Sequence, residues 1–595
     1  MSLMDKLTRT DSCARVSEEQ IGEEVTLMGW VQRQRNHGGV IFIDLRDRSG
    51  IVQVVIDPQS NEEAFQEAEK VRKEYVLAVK GEVKARPEGM VNEELATGKI
   101  EVDTKEVYIL DEAETPPFLI EEDIKAKEDL RLEYRYLDLR RQPMKENIEL
   151  RHDVKKAVRD YLDQEDFLEI ETPILTKSTP EGARDFLVPS RTNKGQFFAL
   201  PQSPQLFKQL LMASGMEKYF QIARCFRDED LRADRQPEFT QVDMEMSFLG
   251  QEEIMEIVEG MMQDVFAAAG REEPLEFPHL SYQEAMDRFG TDRPDTRFGL
   301  ELVDVSEVVA DSEFNVFSGT IADGGQVKGI NAKGGADFSR GQIDDLTDFV
   351  SIYGAQGLAW IKVTEEGVDS PIAKFLSDEE IAGIKETMEA EPGDLLLFVA
   401  DDPQVVADAL GNLRLKLGEE LDLIPEDEFD FVWVTDFPLF EWDKEEKRYV
   451  SAHHPFTMPC AEDIDRLEEA PEEITAQAYD LVLNGIEIGG GSIRIHDSEL
   501  QMRIFDLLNM SQTEVEEKFG FLLEAFEYGT PPHGGIAFGL DRLVMLLGGL
   551  DTIRDVIPFP KTQRGTCPLT NAPTKVSETQ LEELNLEVEK EIEIE

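Results

Sequence analysis

Five short runs of alternating or β-branched apolar residues open the chain: Val25–Gln34, Val40–Leu45, Ile51–Ile56, Val76–Ala85 and Ile100–Leu110. One helical stretch, Asn61–Lys73, interrupts them. Five strands and one helix predict an OB-type β-barrel over residues 1–112, a fold whose open face takes single-stranded nucleic acid. Glu114–Lys127 carries Pro116, Pro117 and many charges, which predicts a linker or hinge over 113–140. Apolar spacing turns helical over Asn147–Gln164, and strand and loop signals then run to Tyr282. From Asp295 to Asp422 the texture changes to short α/β units around the glycine-rich Gly324–Gly335. Apolar strands and glycine runs resume after Phe429 and continue through Leu547. The pattern predicts a multidomain α+β chain: the barrel, a divided body at 141–294 and 423–576, an inserted α/β domain at 295–422, and an acidic, frayed tail over 577–595. No internal repeat is evident.

Charge changes the picture. The chain holds 125 acidic against 61 basic residues, a formal net charge of −64. Periodic apolar segments exclude disorder, so the excess reads as a soluble acidic surface suited to a salt-rich cytoplasm. At about 1 M salt the Debye length is roughly 3 Å, and such a charge barely repels itself. Phosphate backbones avoid an acidic surface, so any nucleic-acid reading has to rest on local sites. Four cysteines, Cys13, Cys225, Cys460 and Cys567, lie far apart with no zinc or redox spacing, as expected in a reducing compartment. No apolar run is long enough for a membrane span, and Met1–Cys13 lacks an export signal core.

Four constellations carry candidate chemistry. In the first, Phe226–Asp230 and Glu238–Glu245 flank the polar loop Arg232–Pro237 and can pair as a hairpin. Strand alternation puts Phe239, Gln241, Asp243 and Glu245 on one face, with Gln221 and Arg227 on the same face of the other strand. Arginine, carboxylates and an aromatic on one face make a nucleotide platform: Arg227 for a phosphate, Phe239 for a purine. A solvated, salt-bridged sheet face fits the same residues. In the second, the strand Gly534–Gly539 runs into a helix Asp541–Leu547, with Arg542 in its first turn against the helix dipole. A bound phosphate, or a pair with Asp541 or another acid, would explain that cation. In the third, Asp480 and Glu487 flank the turn Asn484-Gly485 before Gly489–Arg494. Two carboxylates beside a glycine-rich strand can hold Mg²⁺, or stand as two surface acids. In the fourth, Gln202–Lys208 places Gln205 and Lys208 one helical turn apart, after Thr179–Asp185 and ahead of His453-His454-Pro455. The histidines lack metal-ligand spacing and suit a pocket wall.

Taken in order and spacing, these motifs resemble class II aminoacyl-tRNA synthetases. Asn147–Gln164 followed by Asp166–Pro173 is similar to their motif 1, the dimer element. Phe226–Glu245 is similar to motif 2 and Gly534–Arg542 to motif 3. Gln202–Gln205, Arg224–Asp230, His453–Pro455 and Gly489–Arg494 resemble the bacterial aspartate enzymes in particular, as do the N-terminal barrel and the insertion. The resemblance implies an antiparallel-sheet catalytic domain, ATP as substrate with Mg²⁺, L-aspartate, a homodimer and tRNA, with no membrane partner. It implies that Arg227 grips the α-phosphate, that Arg542 holds the terminal phosphate and stacks on adenine opposite Phe239, and that Asp228, Glu229, Gln236, Glu487, Gly539, Leu540 and Asp541 complete the ATP site. Asp480 and Glu487 would carry the metal. Arg494 would pair the substrate side chain, helped by Lys208 and Asp243, with Arg227 also reaching the amino acid. Glu181 would meet the ammonium from a closing loop, and Ser203, Gln205 and His453 would line the pocket. Arg33, Arg35, His37, Phe42 and Gln53 would contact the anticodon and put local positive charge on an acidic protein, although Phe42 alone also reads as core. Arg35–Gly39 is expected as a loop. Histidine at position 37 resembles the branch that aspartylates both tRNA-Asp and tRNA-Asn and needs a partner amidotransferase. A discriminating enzyme restricted to tRNA-Asp, a tRNA-free amide-forming paralogue, and an RNA-binding scaffold with a dead catalytic domain stand as the alternatives.

Overall fold

A computed structural model of the chain describes residues 7–179 and 183–588. Two compact units emerge. One holds residues 1–149 with short segments from 558–573, and the other holds most of 150–595.

The first unit is a closed barrel ordered β1-β2-β3-β5-β4. Its strands are β1 Glu24–His37, β2 Val40–Asp47, β3 Gly50–Ile56, β4 Val76–Ala85 and β5 Ile100–Asp111. Helix α1, Glu62–Lys70, is capped by Asn61, whose side chain accepts from the Ala64 N–H at 3.1 Å, and it ends before Lys73, with Val71 extended and its N–H on the Ala68 carbonyl. Strand β1 runs three residues past Gln34, because Arg35, Asn36 and His37 pair with Phe42, Ile41 and Val40. The expected loop shrinks to Gly38-Gly39, whose φ values of 63° and 87° suit a two-residue hairpin turn. Short helices α2, Glu128–Glu133, and α3, Arg135–Asp138, occupy the end of the hinge. Asp138 is fully buried there and pairs with Arg131, Arg135 and Arg141.

Helix α4, Gln142–Gln164, begins five residues before its apolar repeat, with Pro143 in the first turn, where no N–H partner is needed. Strand β6 (Leu168–Glu169), hairpin β7–β8 (Leu187–Pro189, Phe197–Ala199) and α5 (Gln205–Ala213) follow. Next come β9 (Lys218–Phe226), β10 (Glu238–Ser247), α6 (Gln251–Ala268), β11 (His279–Ser281) and α7 (Tyr282–Phe289). The insertion folds on its own sheet: β12 Leu302–Asp304, β13 Gln326–Ala332, β14 Ala359–Thr364, β15 Gly367–Asp369 and β16 Leu395–Asp401, ordered β12-β13-β16-β14-β15. Separate apolar clusters cover that sheet. Its last helix, Pro403–Glu420, sends the buried Arg414 to the carbonyls of Asp295, Phe298 and Gly299. The main sheet then resumes with β17 (Phe431–Thr435), a hairpin β18–β19 (Phe440–Asp443, Arg448–Ser451), β20 (Ala478–Leu483), β21 (Ile486–Ile493) and β22 (His533–Gly539). The tail is not wholly frayed, since Glu578–Leu584 is a helix capped by Ser577.

The main sheet has eight strands ordered β11-β17-β20-β21-β22-β10-β9-β6, antiparallel except for the two end pairs. Alternation divides its faces. Val242, Met244, Met246, Tyr479, Leu481, Ile536 and Phe538 pack with Val154, Val158 and Leu162 of α4 and Met261 and Met262 of α6 into the largest core. The opposite face takes the alternate residues, and it carries the site.

Candidate active site

Register brings the predicted residues together. Asp243 lies opposite Gln221 on β9 and Ala537 on β22, and Glu245 lies opposite Tyr219 and Gly535. This face is not solvated, because Asp243 and Glu245 are both fully buried. Isolated buried carboxylates are costly, so their partners define the site. Lys208, reaching in from α5, sits 2.7 Å from Asp243 and 3.2 Å from Glu245. Arg494 closes the other side. Its Nε and Nη2 donate to the two oxygens of Glu245 at 2.9 and 3.2 Å, the planar fork a carboxylate fits. Nη2 also donates to the Gly535 carbonyl at 3.3 Å. A Cβ at Gly535 would collide with the Glu245 carboxylate and the Met244 carbonyl, so glycine is required there.

Arg494 Nη1 has only neutral partners, Ser492 Oγ at 2.6 Å and His454 Nε2 at 2.5 Å. Burial, reinforced by Arg494, holds the His454 imidazole well below its ordinary value. Burial pushes the Glu245 carboxyl up, but Arg494 and Lys208 outweigh it and hold it at about 2. Asp243 goes the other way: burial raises it, and Lys208 only partly compensates. Several buried polar atoms have no partner: Asp243 Oδ2, Gln205 Nε2, Arg227 Nε and Gln202 Oε1. Buried native groups are normally satisfied, so the unpaired atoms of Asp243, which holds Lys208, and of Gln205, one helical turn from Lys208, mark a place for a polar ligand. Ser203 Oγ accepts from the Gln205 N–H at 3.3 Å and so helps begin α5.

The nucleotide end lies along β9, β10 and β22. Arg227 lies against the Phe239 ring, 5.2 Å from its centroid. Arg542 stands in the first turn of the helix Leu540–Leu547. It does not pair with Asp541. It donates to the Glu487 carbonyl and to Asp234 of the hairpin loop, at 2.5 and 3.1 Å. A cation opposing the helix dipole thus holds a carboxylate where a phosphate would serve equally. Two expected ATP contacts are otherwise engaged. Asp541 accepts from the Thr240 N–H at 2.8 Å and pairs with Arg151 at 2.5 Å, while the Leu540 side chain belongs to the core. A Cβ at Gly539 would meet Arg542 Cβ at 3.6 Å, an ordinary contact. Glu229 pairs with Arg235 at 3.1 Å, Asp228 is bridged to Arg184, and Gln236 is buried.

The bulge between Leu481 and Val482 brings Asp480 and Glu487 together across β20 and β21. A Cβ on Gly490 would lie 2.6 Å from Asp480 and 3.4 Å from Glu487, so both carboxylates crowd one glycine. The Asp480 charge, with burial, pushes the Glu487 carboxyl up. Repelling carboxylates in a half-enclosed notch are a donor set that Mg²⁺ fits, since it binds through one or two carboxylates plus waters and phosphate. The two histidines part company. His453 turns to Asp480, 3.5 Å away, rather than to the amino-acid end, and His454 is the one that reaches Arg494. The hydrogen bond and charge from Asp480 raise His453 against its burial. Sequence reasoning gave His454 only a pocket-wall role shared with His453, passed over Ser492 within the glycine-rich run, and quoted Glu245 without a role. The parity of Glu245 with Asp243 on one strand was the available signal. Glu181 lies outside the described residues.

In the first unit Arg33, Arg35, His37, Phe42 and Gln53 line one groove of about 2110 Å³. Phe42 is half-buried between core neighbours Ile41 and Ile43, so its ring belongs to the groove, not the core. The local positive charge expected of this face is absent. Six Lys and Arg line the groove against eight Asp and Glu, with Arg35 held by Asp44 at 2.8 Å and Lys84 paired with Asp103.

The fold and this site define a class. A family model described as tRNA synthetases class II (D, K and N) matches residues 127–563, and one described as an OB-fold nucleic acid binding domain matches residues 25–110. The chain belongs to the class II tRNA synthetases of this group. It is 63% identical over 583 residues to the aspartate–tRNA(Asp/Asn) ligase of Halothermothrix orenii, covering 98% of this chain and 99% of that protein. It is 60% identical to the aspartate–tRNA(Asp/Asn) ligase of Bacillus anthracis, over 98% of both chains. Among solved structures, asparaginyl-tRNA synthetase from Pyrococcus horikoshii, complexed with asparaginyl-adenylate, shares the fold with a TM-score of 0.59 at 21% identity, covering 93% of this chain and 98% of that one. A putative aspartyl-tRNA synthetase from Leishmania major matches equally, with a TM-score of 0.59. No described helix is long and apolar enough to cross a membrane.

Proposed function

We propose that this chain is an aspartate–tRNA ligase that activates L-aspartate with ATP and esterifies it to the 3′ end of tRNA-Asp and of tRNA-Asn. The observation that carries the amino-acid assignment is Arg494. Two of its nitrogens are committed to Glu245, and the third faces neutral groups in a buried pocket. An incoming carboxylate that displaces one of those neutral groups gains a charge-assisted bond at that nitrogen, whereas an amide brings no charge. Lys208 adds a second cation, and the unpaired Asp243 and Gln205 atoms take the remaining polar groups of the amino acid.

The reaction needs no protein nucleophile. The aspartate α-carboxylate attacks the α-phosphorus in line, the bond to the bridging oxygen breaks and pyrophosphate leaves. The terminal ribose hydroxyl of tRNA then attacks the aspartyl carbonyl and AMP leaves. Arg227 neutralises the α-phosphate and Arg542 the terminal one, exchanging Asp234 for substrate. The work is positioning and charge neutralisation. Asp480 and Glu487 would hold Mg²⁺, which supplies further neutralisation of the substrate phosphates.

The barrel groove receives the anticodon, with a base on Phe42 and Arg33, Arg35, His37 and Gln53 around it. The exposed His37 at the end of β1, together with the relatives' stated tRNA(Asp/Asn) range, supports relaxed tRNA choice and an amidotransferase that processes the product. A homodimer is supported by the short edge strand β6 and the exposed Leu168, Ile174, Leu175, Leu187 and Phe197 near it in sequence. Four free cysteines suit the cytoplasm. Aspartate-dependent exchange between ATP and pyrophosphate, with asparagine run in parallel, tests the assignment. Exchange with aspartate alone supports it, and no exchange by folded protein rules it out.

A further inference from the structure

Beside the amino-acid pocket lies a buried pair with no part in the account above. His533 opens β22 and is fully buried. Its Nδ1 lies 2.8 Å from the Pro531 carbonyl, which can only accept, so Nδ1 carries the proton. Burial holds the imidazole below its ordinary value and therefore neutral. Nε2 is then a bare lone pair in a closed interior. The group facing it, 3.4 Å away, is the side-chain amide of Gln209, also fully buried. Gln209 Nε2, a donor, has no partner at all. Amide oxygen and nitrogen are interchangeable by shape. Turning the amide over places an N–H on the His533 lone pair and relieves both defects.

That bond would join two things that matter. Gln209 follows Lys208 on α5, the helix that also carries Gln205. The His533 carbonyl accepts the backbone N–H of Arg494 at 2.9 Å. Two residues further on, the Gly535 carbonyl accepts from the Arg494 guanidinium. No described ion pair joins α5 to β22, so the amide–imidazole contact is a direct polar tie between these two elements, beside the Glu245 carboxylate that holds both Lys208 and Arg494.

We propose that Gln209 and His533 are a positioning pair, with the Gln209 amide donating to His533 Nε2, that sets the spacing between Lys208 and Arg494 and so the fit of the aspartate side chain. Neither touches substrate. The inference rests on the aspartate-binding role assigned to that pocket. A purely structural tie would shift stability alone. A positioning tie shifts the KM for aspartate and leaves that for ATP in place, because Arg227 and Arg542 lie away from the His533 end of β22, against Phe239 and against Glu487 and Asp234.

The test is ATP–pyrophosphate exchange by the full chain, varying aspartate and ATP separately. Wild-type exchange with aspartate first establishes the pocket's role, and its absence would refute that reading instead. Gln209→Leu, which keeps the volume and removes the donor, is then expected to raise the aspartate KM about tenfold, with the ATP KM within about twofold. An unchanged aspartate KM, or equal rises in both, overturns the proposal. Should that variant fail to fold, the tautomer decides in the wild-type protein. The histidine ¹⁵N resonances missing from a spectrum of His533→Gln must report an Nδ1–H tautomer. An Nε2–H tautomer overturns it.

Discussion

The amino-acid pocket and the barrel groove both mix cations with acids, yet the medium separates them. In the pocket, two cations and two carboxylates are sealed at the centre of a sheet, where each charge is worth several times its value in water. In the groove, acids outnumber cations along an open face where salt screens every pair. Buried charge provides chemical discrimination. Exposed charge in so acidic a chain provides little affinity, so the groove must rely on stacking and shape.

Breaking the pocket should have the largest effect. Arg494→Leu removes the only fork on Glu245 and the nitrogen offered to substrate. Aspartate-dependent exchange is expected to fall by at least about 10³-fold in kcat/KM, and the fold to lose about 3–5 kcal/mol because the buried Glu245 carboxylate is left with Lys208 as its one cation among the described residues. Retention of a tenth of wild-type kcat/KM would place the substrate carboxylate elsewhere. The same pocket sets an acid limit. Glu245 titrates at about 2 in the folded protein against 4.5 ordinarily, so its contribution is complete above pH 4.5 and vanishes as pH falls through about 2. Denaturation of wild type against Glu245→Gln should show a wild-type advantage of about 3 kcal/mol above that window, shrinking through it. An advantage that stays flat with pH would contradict the assignment.

Effects in the groove should be smaller and confined to tRNA. Phe42→Ala is expected to cost about 1–3 kcal/mol of tRNA affinity, read by filter binding, with amino-acid activation unchanged. Salt separates the two regions most gently. Between about 0.1 and 1 M KCl, the aspartate KM should stay within about twofold while the tRNA KM drifts by up to about tenfold. Equal drift in both would mean that the pocket is not sealed.

How far the sequence disclosed these regions follows from what each depends on. Barrel strands and the motif strands were legible because alternation is local, and the shared face of Arg227, Phe239 and Asp243 followed from parity alone. The extension of β1 to His37 was not legible, because polar residues join a strand when a glycine turn lets them pair with its neighbour. The division of labour between His453 and His454 needed the fold, since nothing in two adjacent histidines says which faces Arg494. Asp541 looked like a ligand beside Arg542 and instead caps the Thr240 N–H, a contact across 301 positions. The groove's charge was misjudged because its arginines stand out in sequence and the acids opposite them arrive from other strands.

The most direct test of the central claim is aspartylation of separately transcribed tRNA-Asp and tRNA-Asn by the purified chain. The account predicts comparable charging of both with aspartate and none with asparagine. Charging with asparagine, or with neither tRNA despite active exchange, would contradict it.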